Sequence, residues 1–407
     1  EFEIKGGLFM LVVYLGIVFL TIVILIAIKR PLYQAILGGL IMLVILYQIP
    51  IGDACIQVTH VFTHWDSFQI LISLYLITFL QRMLETRQQI KLAQQDLNGL
   101  FHNRRINAGG APLFIGLLPS AAAMILCGDI VKEATDGYLD PKDQAFTASW
   151  FRHIPESTLP TYAAVLLMAN ISGVPLSEFI IGMIVPICAL SFIGYFSILR
   201  KIPKDPGVER SQNRWLDFIH LFQHLWSLLA IIVFILVFKL SVVSAVLIVI
   251  VLCIFIYHFH IDELLPMVKS SFEKKMILNT FLVLVLKELI AYTGVLEVLP
   301  EMLLTLPIPS YLVFVILFFV GGIISGSSGI IALGTPIAFA TIPGGMPLMV
   351  LLMCICHGAS QLSPTHICLV VAADYFHVSL GDLIRKTLPK TLLFCFIAII
   401  YYNILIL

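Results

Sequence analysis

Long apolar runs are the feature that most constrains this chain. A helix needs about 20 residues, each rising about 1.5 Å, to cross the hydrocarbon core of a bilayer. Runs of about this length predict ten spans, at about 8–28, 32–49, 66–85, 143–171, 175–199, 223–238, 241–258, 273–294, 346–375 and 380–405. Only 12% of the residues are charged, against about 25% in soluble domains. The sequence therefore predicts an all-α polytopic membrane protein and excludes a soluble enzyme, a nucleic-acid-binding protein and a disordered scaffold.

Two further apolar stretches, 108–134 and 310–342, are interrupted in the middle by turn residues. Leu118-Pro119-Ser120 breaks the first, and the run from Ser325 to Gly329 breaks the second. Non-helical backbone at membrane depth is tolerated only where it faces protein or a water-filled cavity. We therefore predict two re-entrant helical hairpins, each entering and leaving on one side.

The basic residues predict the orientation of the spans, because cytoplasmic loops collect lysine and arginine. Placing the turns after 28, 85, 134, 199, 258 and 375 on one side gathers 20 of the 24 lysines and arginines there. Both termini then face outward. We expect a multi-pass protein of the cell (inner or plasma) membrane, with the lipid bilayer as its surroundings.

An internal repeat runs through the chain. The segment His153–Thr161 recurs as His357–Thr365, with a His-x6-Pro-Thr pattern at an offset of 204 residues. The interrupted stretch Gly116–Gly128 likewise aligns with Gly322–Gly334 at an offset of 206 residues. In both halves the motif follows a predicted hairpin, and the two copies are separated by half the chain length. Chance is a poor explanation of this coincidence.

The repeat predicts two structural halves, 1–204 and 205–407. Each contains three spans, a hairpin, a broken span and a last span, which makes five crossings. Because five is odd, the second half must be inverted relative to the first. Inverted repeats with discontinuous helices at matching places are typical of secondary transporters, which predicts an elevator-type fold.

Two hairpin tips and two broken spans should meet in the middle of such a fold. Half-helix N-termini favour anions, whereas freed carbonyls and hydroxyls favour cations. The structural breaks are expected at Pro119, Pro155, Pro160 and Pro364. The predicted solute-binding residues are Ser120, Arg152, Ser157, Thr158, Thr161, Ser325, Ser327, Ser328, Gln361, Ser363, Thr365 and His366. The predicted coupling-ion residues are Ser120, His153, Glu156, Gly326, Ser360 and Asp374. An alternative is that Gly and Ser here only permit close helix packing.

Ionisable residues inside a membrane are costly and usually functional. Arg152 could be the counter-ion of a solute, and Glu156 or His153 a carrier of a proton or cation. The alternative is a purely structural Arg152–Glu156 pair one helical turn apart.

A cysteine-rich stretch raises the question of a soft metal site. Cys354, Cys356 and His357 lie close in sequence, with Cys368 nearby. On one helix Cys354 and Cys356 point about 200° apart, so they cannot share an ion. We therefore expect no cofactor and no metal beyond a coupling Na⁺.

Three segments carry a resemblance to known proteins: Gly116–Ser120, Trp150–His153 and Leu362–Cys368. With the architecture, they resemble an uncharacterised prokaryotic integral-membrane family of unknown function within the ion transporter superfamily. That superfamily includes divalent-anion:sodium symporters, citrate transporters and the membrane subunits of TRAP transporters. The resemblance implies a scaffold part, a transport part that moves as an elevator, and a homodimer. The Ser-Asn-Thr hairpin tips of the divalent-anion symporters are replaced here by Pro119–Ala121 and Ser327–Gly329.

We therefore expect an ion-coupled secondary active transporter of a small, anionic, carboxylate-type solute, with Na⁺ or H⁺ as the coupling ion. It would bind no nucleic acid and would not be an enzyme. A cation/proton antiporter without an organic solute is the main alternative. Two weaker alternatives are a membrane-embedded enzyme, which would use His366 to act on a lipid carrier, and a purely structural partner subunit. Dependence on an accessory binding protein, as in TRAP systems, stays open.

Overall fold

The computed structural model describes residues 2–28, 30–89, 91–93, 96, 103–117, 123–205, 213–297, 307–342, 344–364 and 366–407. Within these ranges every regular element is a helix. In the first half the helices are α1 (Phe2–Ala27), α2 (Leu32–Leu46), α3 (Ile51–Thr63), α4 (Trp65–Thr86), α5 (Arg104–Ile115), α6 (Ala123–Thr135), α7 (Pro141–His153), α8 (Ala163–Ser172), α9 (Leu176–Gly182) and α10 (Ile184–Ser197). Single 3₁₀ turns lie at Pro155–Ser157 and Leu199–Lys201.

The described helices of the second half follow a matching order. They are α11 (Arg214–Leu236), α12 (Val242–Ile256), α13 (Ile261–Ser270), α14 (Lys274–Tyr292), α15 (Ser310–Thr341), α16 (Gly345–Ser360), α17 (Ile367–Tyr375) and α18 (Leu380–Leu405). A broken span followed by a last helix occurs in both halves, at His153–Ala163 and at Ser360–Ile367, whereas the division into two repeats of five crossings stays a prediction. The inversion of one half relative to the other stays a prediction.

Several helices are long and apolar enough to cross a bilayer. By length and composition, five segments qualify: Trp65–Thr86, Leu176–Lys201, Arg214–Leu236, Ser310–Thr341 and Leu380–Leu405. Shorter apolar helical stretches of 10–17 residues lie at Met10–Ile26, Leu32–Leu46, Ala163–Ser172, Val242–Ile256 and Gly345–Ser360. The expectation of an all-helical, multi-pass membrane protein is confirmed at this level, whereas the count of ten spans stays a prediction.

The helix boundaries correct one predicted span. The predicted span 32–49 ends at Leu46, and α3 follows it as a separate helix that the hydropathy pattern missed. Polar residues interrupt the apolar run of α3, and only its Val61 is buried, so a search for long apolar runs passes over it. The predicted span 175–199 corresponds to α9 and α10, which meet at Met183 and together form the candidate span Leu176–Lys201.

The second predicted hairpin is visible in α15. Its backbone leaves the helical region at Gly326, with φ 73° and ψ 170°. A Cβ atom at Gly334 would lie 2.5 Å from the Phe318 ring, and one at Gly321 would lie 2.4 Å from the Ile330 side chain. The two limbs therefore lie antiparallel and side by side, so α15 turns back on itself although its 32 residues could span a membrane. In the first half α5 and α6 pack together, but their tip, 118–122, lies outside the described residues.

The first limbs of the two broken spans form the centre of the molecule. Every residue of α7 from Asp143 and every residue of α16 from Leu348 is buried. Helix α7 packs against the first hairpin and against α17 and α18, while α16 packs against α15, α8 and α9. Each broken span thus contacts its own hairpin and the other half of the chain.

A two-pronged ion pair joins α4 to α13 outside the apolar segments. The Arg87 guanidinium donates to both carboxylate oxygens of Glu263, at 2.8 and 2.9 Å, and lies 4.0 Å from the centre of the Phe259 ring. The hydrogen bonds from Arg87 lower the pKa of Glu263 to about 2 from 4.5. This contact holds the amphipathic α13 against the end of α4.

We expect Glu263→Gln to remove a pH-dependent part of the stability. Because the pKa is lower in the folded state, the ion pair stabilises the protein above about pH 4.5 and loses its effect as the pH falls toward 2. The melting temperature of the wild type should therefore exceed that of the variant at pH 7, and the gap should narrow markedly at pH 3. Glu273→Gln is the control, since Glu273 makes a single 3.3 Å contact with Arg82 at the surface. An equal gap between wild type and variant at both pH values would contradict this.

Candidate functional site

The breaks of the two broken spans lie against each other. In the first, the helix stops at His153 and resumes at Ala163; in the second, it stops at Ser360 and resumes at Ile367. Ser157 Oγ lies 3.0 Å from His357 Nδ1. His153 Nε2 lies 2.9 Å from His366 Nε2. Equivalent parts of the sequence repeat therefore form one polar centre.

A charged cluster occupies this centre. Arg152 Nη1 contacts Glu156 Oε2 at 3.1 Å. This is the ion pair expected from two residues that lie four positions apart in the sequence. The same Glu156 carboxylate lies 3.6 Å from His153 Nε2 and 3.9 Å from His366 Nε2. The Arg152 side chain is only 2% exposed and that of Glu156 23%. The carboxylate is therefore surrounded by one fixed cation and two imidazoles, and it keeps partial access to open space.

Two cavities flank the cluster, and both are lined by Glu156 and Tyr162. The larger one, which we call the tip cavity, has a volume of about 570 Å³ and reaches the hairpin tip, Ser325–Ser328, and His366. Arg30 also lines it. Ligand pockets for small molecules commonly measure about 300–1,000 Å³, so the tip cavity is large enough for a small solute.

The smaller cavity, which we call the helix-4 cavity, lies on the other side of Glu156. It has a volume of about 240 Å³. Its wall combines Arg152, Thr161 and Cys368 with Thr78 and Gln81 of α4. The charged cluster thus stands between a cavity at the hairpin tip and one at the neighbouring helix α4.

Several buried polar atoms beside the breaks have no hydrogen-bond partner among the described residues. They are Thr158 Oγ1, Thr161 Oγ1, His357 Nε2 and both amide atoms of Gln361. Gln361 is 1% exposed and Thr158 2%. An unsatisfied buried polar group costs about 1–3 kcal/mol. Hydroxyl and amide oxygens in this state are suited to receive a cation, a solute or a water molecule.

Most predicted site residues within the described part of the chain lie near this centre. Arg152, His153, Glu156, Ser157 and His366 form the contacts given above. Some hydroxyls, however, already bond to backbone carbonyls of the second half: Ser325 to Gly321 at 2.7 Å, Ser360 to His357 at 2.8 Å and Ser363 to Ile323 at 2.7 Å. The bond from Ser363 ties the second break to the hairpin.

The remaining predicted residues have different positions. Asp374 is exposed at the end of α17 and is not brought into the cluster. Pro155 and Pro160 are buried at the first break, whereas Pro364 is exposed at the second. Ser120, Pro119 and Thr365 lie outside the described residues.

Sequence reasoning missed Tyr162, which lines both cavities. Its hydroxyl donates to the carbonyl of Gly116 at 2.5 Å. A Cβ atom on Gly116 would lie 2.1 Å from the backbone oxygen of Arg152, so the first hairpin approaches the first broken span too closely for a side chain. The position of Tyr162 directly after the Pro160-Thr161 break was the available signal. No signal in the sequence indicated that Arg30 lines a cavity, because Arg30 lies in a loop whose basic residues are explained by the orientation of the spans.

Comparison with known proteins identifies a family and a similar fold. A family model described as a protein of unknown function, DUF401, matches residues 12–405, which confirms the resemblance to an uncharacterised family. The structure is similar to the crystal structure of the Alcanivorax borkumensis YdaH transporter, which is reported to have an unusual topology. The TM-score is 0.53 with 13% identity over 85% of this chain and 86% of that chain, a likeness of fold alone. No curated protein sequence matches the chain. Placement in the ion transporter superfamily stays a prediction.

Proposed function

The chain belongs to the DUF401 family, and from the fold and site of this member we propose that it is an ion-coupled secondary active transporter. Its solute is small and anionic, of the carboxylate type, and binds in the tip cavity. Na⁺ or H⁺ provides the coupling. The protein is not an enzyme in this proposal, and it needs no cofactor.

The observation that carries the proposal is the tip cavity itself. It lies between a hairpin tip and a helix break, which are the elements that bind solutes in transporters with discontinuous helices. The hairpin tip supplies the hydroxyls of Ser327 and Ser328 together with backbone, and Arg30 supplies positive charge. A carboxylate in this cavity can therefore accept hydrogen bonds from the hairpin tip and pair with a cation.

The coupling ion has a separate set of candidate ligands. Oxygen atoms of Thr158, Thr161 and Gln361 are buried and lack partners among the described residues. Hard cations such as Na⁺ prefer oxygen ligands. An ion bound there would sit beside the Glu156 cluster, so its charge would favour binding of an anion in the adjacent tip cavity.

The proposed movement follows from the repeat. The hairpins and broken spans would move as one body against α4, α14 and the other helices, exposing the tip cavity to each side in turn. The contacts of α16 with α15 and α8 support a transport body that includes both halves. Inverted repeats, outward-facing termini in the cell membrane and a homodimer belong to this proposal.

Thermal stability of the purified protein tests the proposal. A ligand that binds only the folded state stabilises it by RT ln(1 + [L]/Kd), about 2.7 kcal/mol at 100 times Kd. We expect at least one member of a panel of small carboxylates to raise the melting temperature. If Na⁺ is the coupling ion, the shift should occur in Na⁺ and not in K⁺. If H⁺ is the coupling ion, the shift should occur at one pH and not at another. The compound so found should be taken up into proteoliposomes only with the matching ion gradient.

Two outcomes would overturn the symport proposal. A shift with Na⁺ or pH alone, together with ΔpH-driven Na⁺ flux in vesicles without organic solute, would assign a cation/proton antiporter. Solute binding that is unaffected by Ser327→Ala and Ser328→Ala together would remove the tip cavity as the site. Asp374→Asn is the matched control for these variants, because Asp374 is exposed and lies apart from the cluster.

A further inference from the structure

Three side chains of the polar centre have the chemistry of a metal site. Nitrogen atoms of His153 and His366 and the sulfur of Cys368 all lie within 4.8 Å of one another. His153 belongs to the first broken span, and His366 and Cys368 belong to the second. The cluster differs from the cysteine pair that the sequence offered, because it unites residues from both halves.

The hydrogen bonding of His153 prepares one ligand atom. Its Nδ1 lies 2.5 Å from the carbonyl oxygen of Ser149. A carbonyl oxygen can only accept, so Nδ1 carries the hydrogen and Nε2 presents a lone pair. A backbone carbonyl on the second ring nitrogen is the usual support of a metal-binding histidine. The bond to Ser149 therefore fixes both the tautomer and the direction of the ring.

The distance between the two imidazoles suits a shared ion. His153 Nε2 and His366 Nε2 are 2.9 Å apart. In a tetrahedral zinc site with bonds of about 2.0–2.1 Å, two nitrogen ligands lie about 3.3 Å apart. The two Nε2 atoms therefore need to move apart by only a few tenths of an ångström to bind one ion. His366 also lines the tip cavity and Cys368 the helix-4 cavity, so the cluster can be reached from open space.

A fourth ligand is available from Glu156. Its Oε2 contacts Arg152, whereas its Oε1 faces His366 Nε2 at 3.9 Å. One carboxylate oxygen can thus turn to an ion while the other keeps its pairing with Arg152. Nitrogen, sulfur and one oxygen ligand select a borderline-soft ion such as Zn²⁺ over Na⁺ or Mg²⁺.

We propose that His153, His366 and Cys368, with Glu156 as the oxygen ligand, bind a divalent transition-metal ion of the Zn²⁺ type. The ion clamps the two broken spans together at their breaks. This site is distinct from the oxygen-lined coupling-ion site and from the solute in the tip cavity, and it does not depend on the transport proposal.

The test is a metal titration of the full-length, metal-free protein in detergent with Co²⁺ and then Zn²⁺. We expect one Co²⁺ per chain, with the near-ultraviolet charge-transfer absorption of a cobalt–thiolate bond, and its loss when Zn²⁺ displaces the Co²⁺. Zn²⁺ should also raise the melting temperature. Cys368→Ser should abolish the thiolate absorption and weaken Zn²⁺ binding by about 10- to 100-fold or more.

The control is Cys253→Ser, which changes another buried thiol, in α12, and should leave binding unchanged. His366→Gln is the second variant, and it should weaken binding even if Cys368→Ser does not fold. Absence of the thiolate absorption in the wild type would overturn the proposal. So would equal Zn²⁺ affinity in His366→Gln and the wild type.

Discussion

Replacing Arg152 with glutamine should abolish solute uptake and lower the free energy of unfolding by about 3–5 kcal/mol, the usual cost of removing one partner of a buried ion pair. The guanidinium is nearly inaccessible and contacts Glu156 at 3.1 Å. Its loss leaves a carboxylate inside the membrane protein with only imidazoles beside it. Because Glu156 lines both cavities, water can partly solvate it, and we expect the lower end of this range.

The double variant Arg152→Gln/Glu156→Gln separates stability from transport. Removing both charges avoids the unpaired carboxylate, so much of the stability should return. Uptake should stay abolished if the cluster takes part in transport. Lys142→Gln is the control, since Lys142 pairs with Asp382 at an exposed position, where an ion pair contributes about 0–1 kcal/mol. Wild-type uptake by the double variant would make the Arg152–Glu156 pair purely structural.

The breaks that the structure describes have a local cause in the sequence. Pro155 and Pro160 remove backbone donors within one apolar segment, and a helix cannot continue through both. The helix indeed stops at His153 and resumes at Ala163. Gly326 likewise marked the turn of the second hairpin, since glycine adopts backbone angles that other residues avoid.

The contacts between the halves could not be predicted in this way. His153 and His366 are 213 residues apart in sequence, and helical periodicity describes only neighbours on one helix. The repeat alignment was informative about which segments correspond, but not about their depth. Asn170 and Asp374 are 204 residues apart and so occupy equivalent positions of the repeat. Asn170, however, donates to the Asp66 carbonyl at 2.7 Å, whereas Asp374 is exposed. The environment of a side chain depends on how the two halves pack together. That packing cannot be deduced from the sequence of either half alone.

Replacing Gly326 with alanine should reduce solute binding without creating a steric clash. A Cβ atom at this position would have no atom within 4 Å. The backbone, however, has φ 73° and ψ 170°, a region that essentially only glycine occupies and that costs other residues about 1–3 kcal/mol. The chain can relieve this strain only by moving the hairpin tip, which lines the tip cavity. Each loss of about 1.4 kcal/mol in binding lowers affinity tenfold, so solute affinity and uptake should fall about tenfold or more.

Gly173 provides the matched control for Gly326. Gly173 lies at the end of α8 with φ 70° and ψ 8°. These angles belong to the left-handed region, which asparagine also tolerates. Gly173 does not line the tip cavity. Gly173→Ala should therefore lower the melting temperature without changing solute affinity, and Gly173→Asn should be milder still. Gly326→Asn should be as harmful as Gly326→Ala, because asparagine does not relieve strain at ψ near 170°. Equal losses of uptake in Gly173→Ala and Gly326→Ala would mean that general instability, rather than the position of the hairpin tip, limits transport.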